Sequence, residues 1–168
     1  MTARLEAESE ARRLLYTYAR AADRLDRDLL ATIFHPDARV ELGAIYQGGV
    51  DGFLDVTMGF MGSMAATRHD IGNFLVKFDG HDRMASEAYV QAWHRIDAPE
   101  GTGELVVYGR YLTRYERRDG RWAIAWHGEV IDWGRHTPAD AGWFDGNAEM
   151  GKGRRDRDDA SYGVFGAP

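Results

Sequence analysis

The hydrophobic positions recur mainly with a helical period up to about residue 66, interrupted by one small hairpin, and alternate with a strand period from Thr67 onward. In the first part, Ala11, Leu14, Leu15, Tyr18, Ala21, Ala22 and Leu25 make one apolar stripe, which predicts a helix from about Ala3 to Arg24. Tyr16 and Asp23, seven residues apart, share a second flank of that helix with Leu5. Asp26 suits the N-cap of a short second helix whose apolar face is Leu29, Leu30, Ile33 and Phe34. His35-Pro36-Asp37 ends it, because the residue before proline avoids the αR region. Ala38 to Leu42 and Ile45-Tyr46 read as short strands around a turn at Gly43, closed by Gly48-Gly49. Val50 to about Met64 predicts a third helix with Phe53, Leu54, Thr57, Phe60, Met61 and Met64 inward, weakened by Gly59 and Gly62.

The second part predicts four long strands, Thr67 to Phe78, Arg83 to Ile96, Glu104 to Arg117 and Arg121 to Asp132. Asp119-Gly120 is a strong two-residue hairpin signal. Strict alternation puts His69, Ile71 and Asn73 on one face of the first strand. On the second, Tyr89, Gln91 and Trp93 oppose Ala88, Val90, Ala92 and His94. On the fourth, Trp122, Ile124, Trp126, Gly128 and Val130 oppose Ala123, Ala125, His127 and Glu129. Helices followed by antiparallel strands define an α+β fold. After Trp133 the alternation dissolves. Residues 1–133 are therefore expected to form the domain and 134–168 an irregular tail. Trp143, Phe144, Tyr162 and Phe165 suit that tail to packing on the domain or on a neighbouring subunit.

Composition narrows the function. A length of 168 residues with 44% hydrophobic content suits one domain with a substantial core. Aromatics at 12% can furnish an apolar ligand pocket as well as a core. A net charge of −6 argues against a nucleic-acid partner. The lack of Cys removes disulfides, thiolate nucleophiles and Cys-based metal sites. No apolar run reaches the ~18 residues of a membrane span, and the charged N-terminus has no signal-peptide core, so a soluble cytoplasmic protein is expected. No phosphate-binding glycine loop, nucleophile elbow or His-Glu-x-x-His is present, and no histidine pair has ligand spacing. The expectation is no metal and no cofactor. His35 and His81 fall in turns and are expected to be exposed; His94 and His127 lie within strands.

The order of elements carries a resemblance. A long helix ends in Ala21-Ala-Asp-Arg-Leu-Asp and a short one in Ile33-Phe-His-Pro-Asp-Ala. Then come Gly49 with its helix, the strand His69-x-Ile-x-Asn73, and the hairpin Tyr115-Glu-Arg-Arg-Asp-Gly-Arg-Trp122. From about Leu5 to Trp133 this resembles the SnoaL-like branch of the nuclear-transport-factor-like superfamily. It is most similar to the lyase members: scytalone dehydratases, hexachlorocyclohexane dehydrochlorinases and bile-acid dehydratases.

The resemblance implies a cone-shaped half-barrel, a curved antiparallel sheet wrapped around the long N-terminal helix. It implies a dyad of His69 and Asp23 inside the pocket, with Tyr18 as a hydroxyl donor. Tyr16, Asn73, Tyr46, Trp93, His94 and Phe53 are the expected substrate contacts. A neutral imidazole can remove a substrate proton while the carboxylate fixes its tautomer and stabilises the imidazolium. The expected function is a cofactor-independent, dehydratase-like lyase acting on a small hydrophobic aromatic or polycyclic substrate. Water, halide or formaldehyde would leave, in aromatic compound catabolism, and the family implies a homo-oligomer, trimer or dimer. The alternatives are a ketosteroid-type isomerase, a non-catalytic small-ligand-binding module, and the small subunit of a ring-hydroxylating dioxygenase.

Overall fold

The computed structural model describes residues 2–165; Met1 and residues 166–168, the outer ends of the two expected segments, lie outside the described residues. Helix α1, Thr2–Asp23, buries the apolar stripe expected of it, Ala11, Leu14, Leu15, Tyr18, Ala21 and Ala22. It ends in a Schellman motif: the Asp26 N–H donates to the Ala21 carbonyl at 2.9 Å and the Leu25 N–H to the Ala22 carbonyl at 3.3 Å. Leu25 occupies the left-handed position, with φ of 53°. The turn leads directly into α2, Arg27–Thr32, whose N-cap Asp26 accepts from the Leu29 N–H at 3.0 Å.

Six strands follow around α3, Val50–Gly62: β1 Phe34–Leu42, β2 Tyr46–Gly49, β3 Ala66–Asp79, β4 Arg83–Ala98, β5 Gly101–Arg118 and β6 Arg121–Pro138. They form one curved, unclosed sheet in the order β2-β1-β6-β5-β4-β3. The sheet is not wholly antiparallel, because β1 runs parallel to β6. The long excursion through α3 and β3–β5 supplies the crossover that a parallel pair needs.

Strand β1 also begins earlier than Ala38, at Phe34. Its ladder to β6 is irregular between Phe34 and Arg39, where Pro36 has no N–H to donate. His35 is therefore not exposed in a turn. It is 3% exposed, and its Nε2–H donates to the Glu116 carbonyl at 3.0 Å.

Three bulges depart from strict alternation. On β3, Ile71 faces Val90 and Phe74 faces Ala88, so Gly72 and Asn73 together oppose Tyr89 alone. On β6, Trp126 pairs with Arg114 but Ile124 with Tyr115, leaving Ala125 as the extra residue. A third inserts Asp132, opposite the Tyr108–Gly109 step; a Cβ on Gly109 would collide with the Val130 carbonyl, so this approach requires glycine. The Asp119-Gly120 turn is as expected: both residues have positive φ, 51° and 81°, as a two-residue hairpin demands.

The core lies between α1, α3 and the concave face. Leu14, Tyr18, Leu30, Ile33, Phe34, Phe53, Leu54, Tyr115 and Ile124 belong to it. Past Asp132 the chain continues as strand to Pro138, then forms the short helices α4, Gly142–Gly146, and α5, Ala160–Phe165. The last segment sits on the α1–α2 corner. The Tyr162 hydroxyl donates to Asp26 Oδ2 at 2.7 Å, Arg157 donates to Asp26 Oδ1 at 3.1 Å, and the Arg20 guanidinium lies 4.9 Å from the Tyr162 ring. Trp143, by contrast, is 69% exposed.

Candidate active site

The site starts at the end of α1. A carboxylate in the last turn of a helix meets the negative end of the macrodipole, so Asp23 needs compensation. Strand β3 provides it three times over. The Thr67 hydroxyl donates to Asp23 Oδ1 at 2.9 Å, the His69 backbone N–H to Oδ2 at 3.1 Å, and His69 Nδ1 lies 2.7 Å from Oδ1. A carboxylate only accepts, so Nδ1 is the donor, and in the neutral ring Nε2 carries the lone pair.

Arg155, from the C-terminal segment, braces the same corner. It donates to the Asp23 carbonyl at 3.1 Å, to the Met61 and Met64 carbonyls at 2.6 and 2.7 Å, and to Thr67 Oγ1 at 3.3 Å. It thereby satisfies carbonyls at the ends of α1 and α3 and reaches Asp23 through the threonine. Burial lowers the Arg155 guanidinium from its usual value.

His69 opens on a cavity of about 110 Å³. Its wall is largely apolar, with Leu42, Val56, Met61, Ala92, Leu105 and Val107, and its polar side chains are Tyr18, Thr57, His69, His94, Tyr111 and Glu129. Ile45, Phe60 and Ile131 line it too and are partly exposed, which makes them its rim. His94 stands edge-on to His69 with ring centroids 5.7 Å apart. Its Nδ1–H donates to the Leu105 carbonyl at 3.3 Å, and its buried Nε2 has no hydrogen-bond partner among the described residues. Burial, then the neighbouring His69, push the His94 imidazole down, which favours its neutral form. Burial raises the Tyr18 and Tyr111 phenols and the Glu129 carboxyl.

Of the side chains singled out in the sequence, the structure brings Asp23, His69, Tyr18 and His94 together at this cavity. It places the others elsewhere. Asn73 does not share the His69 face: the extra residue at Gly72-Asn73 turns Asn73 outward and Phe74 inward, under Arg12. Tyr16 is 51% exposed and lies along a shallow groove with Arg12, Arg13 and Arg20. Trp93 is on the convex face, where its indole N–H donates to Glu104 at 2.9 Å. There it lines a larger hollow of about 480 Å³ with Arg95, Phe144 and Lys152, away from the dyad. The Tyr46 hydroxyl donates to the Gly49 carbonyl at 2.6 Å. Phe53 is fully buried, 5.5 Å from the Phe34 ring and 6.1 Å from that of Tyr18.

Tyr111, Thr67, Arg155 and Glu129 were not among the residues expected at the site. Tyr111 and Thr67 alternate inward on regular strands and were open to discovery. The Ala125 bulge reverses the second half of β6, so that His127, Glu129 and Ile131 face in and Trp126 and Val130 face out. Among the described residues, no group of three or more His, Asp or Glu is placed to hold a metal ion, and no helix is long and apolar enough to cross a membrane.

His127 gives the fold a pH dependence. It is fully buried, held by Thr113 at 3.0 Å and flanked by Tyr18 and Tyr111, and burial lowers it from 6.5 to about 3. Between those values the unfolded chain binds a proton that the folded protein refuses. Stability therefore rises with pH across this window and is lost as pH falls below about 6.5. Urea unfolding should show a loss of about 2 kcal/mol from this residue between pH 7 and 5, absent in His127→Gln.

A curved, unclosed sheet wrapped on one long helix, with a polar pair at its inner end, is the cone fold of the nuclear-transport-factor-like proteins. Within that class the chain belongs to the SnoaL-like domain family, whose profile matches residues 3–126. Among curated proteins none matches. Solved structures share the fold. A hexachlorocyclohexane dehydrochlorinase, LinA type 2, is 23% identical, with a TM-score of 0.73 over 83% of this chain and 93% of its own. The LinA-type3 enzyme of Novosphingobium barchaimii is 22% identical, with a TM-score of 0.72 over 82% and 93%. A provisionally assigned scytalone dehydratase of Novosphingobium aromaticivorans is 20% identical, with a TM-score of 0.72 over 83% and 94%.

Proposed function

We propose that the protein is a cofactor-independent lyase in which His69, oriented by Asp23, is the general base. The observation that carries this reading is the 2.7 Å contact between His69 Nδ1 and Asp23 Oδ1 at the wall of an apolar cavity. The carboxylate keeps the proton on Nδ1 and leaves Nε2 basic; it then stabilises the imidazolium that forms. Tyr18, kept protonated by burial, offers a hydrogen bond to a substrate oxygen. The structural likeness to dehydrochlorinases and a dehydratase agrees with this assignment by analogy of fold.

The cavity size narrows the substrate. An apolar cavity of about 150 Å³ takes up benzene. At about 110 Å³ this one is smaller, but it is open at its rim, so a single ring fits by reaching toward Ile45 and Ile131 and a polycyclic substrate would extend well past them.

Incubation with monocyclic compounds bearing a hydroxyl or halide next to an acidic C–H tests the reading by mass spectrometry. The expected product is lighter by water or hydrogen halide. A product of unchanged mass would make the protein an isomerase.

A further inference from the structure

We propose that Glu129 is the general acid of this site, protonating the departing hydroxyl of a ring alcohol so that the reaction releases water. The assignment rests on the lyase reading and adds a donor for the second proton transfer.

Glu129 comes into the cavity because Ala125 is bulged; unbroken alternation from Ile124 would turn it outward. It shares the cavity with His69, Tyr18 and Tyr111. Among the described residues no cation pairs with its carboxyl and no hydrogen bond engages it; burial raises it, and the charge of His69, when that imidazole is protonated, lowers it. A carboxyl so placed against an apolar wall has no structural partner to account for it. Burial biases it toward the protonated form, which is an O–H donor.

The other polar groups fit the task less well. The one ring proton of neutral His94 is held by the Leu105 carbonyl, and its Nε2 accepts rather than donates. Burial raises the Tyr18 and Tyr111 phenols above an ordinary phenol, so they hold their protons too tightly to release them near neutrality.

The step balances. His69 Nε2 takes the proton from the carbon beside the carbonyl. The electron pair of that C–H bond becomes the new C=C bond. The C–O bond breaks, and the oxygen leaves with the Glu129 proton as water. Imidazolium and carboxylate remain and return to their starting forms by exchange of one proton through solvent. Hydroxide needs this proton to leave; chloride does not. The substrate class is therefore a monocyclic β-hydroxy carbonyl compound.

Two probes separate the assignments: 3-hydroxycyclohexanone and 3-chlorocyclohexanone, both giving cyclohex-2-enone. Glu129→Gln should lower elimination from the hydroxy probe ~10²–10³-fold and from the chloro probe less than ~10-fold, with an unchanged melting temperature. The alkaline limb of the pH profile for the hydroxy probe should vanish in Glu129→Gln and return in Glu129→Asp. His69→Ala should lower both eliminations. Equal losses for the two probes in Glu129→Gln, or no loss, overturn the Glu129 assignment and leave the base in place. If the wild type converts neither probe, or His69→Ala is indifferent, the lyase reading falls and the Glu129 assignment falls with it.

Discussion

Replacing His69 by alanine is expected to lower kcat/KM for elimination by ~10²–10⁴-fold, the range a positioned general base contributes. The loss should appear in kcat rather than in KM, because a proton abstracted in the transition state is not an interaction of the ground state. Added imidazole should restore part of the rate, since the deletion leaves a hollow beside an intact Asp23. Asp23→Asn should cost a comparable factor for a different reason. Three donors converge on the two carboxylate oxygens: the Thr67 hydroxyl, the His69 N–H and His69 Nδ1–H. An amide offers one oxygen and an NH₂ group, so at least one donor loses its acceptor and the imidazole is free to take the other tautomer. Steady-state kinetics with a melting curve on each variant decides the matter. Full turnover in both would end the proposal of a dyad.

Phe53→Ala is expected to be among the most damaging single truncations in the core, at about 3–5 kcal/mol. Phe53 is fully buried and touches three rings, at 6.1 Å to Tyr18, 5.5 Å to Phe34 and 6.2 Å to Tyr46. Its removal leaves a cavity between α3 and the sheet that neither can collapse to fill. For a chain of this size that corresponds to a fall in melting temperature of ~6–20 °C. Phe53 does not line the site cavity. The folded fraction should therefore keep its KM. A raised KM at an unchanged melting temperature would make Phe53 a wall of the pocket instead.

These two residues show why the pattern alone could not sort core from site. Phe53 and Tyr18 are both aromatic positions on the inner stripe of a helix, and periodicity assigns them the same direction. What separates them is depth. Tyr18 sits where the sheet begins to open and reaches the cavity, whereas Phe53 is closed in by Phe34 and Tyr46. Trp93 was ambiguous in another way. Its strand face is legible from alternation, since it opposes His94, but which face is concave depends on how the sheet curls around α1.

The sequence by itself determined the element order up to β6, the burial of the α1 stripe, the Asp119-Gly120 hairpin and the grouping of Ala88, Val90, Ala92 and His94 on one face of β4. These are local matters, decided by helix and strand periods, by capping and by the φ values that glycine tolerates. Tertiary structure decided the rest. A single inserted residue at Gly72-Asn73 and another at Ala125 reverse which side chains enter the cone, and a bulge is set by pairing with the neighbouring strand rather than by the strand that carries it. It also decided the contact between Asp23 and His69. Asp23 lies off the stripe of α1, and only the packing of β3 across the end of that helix, with its three donors, brings the carboxylate to the imidazole.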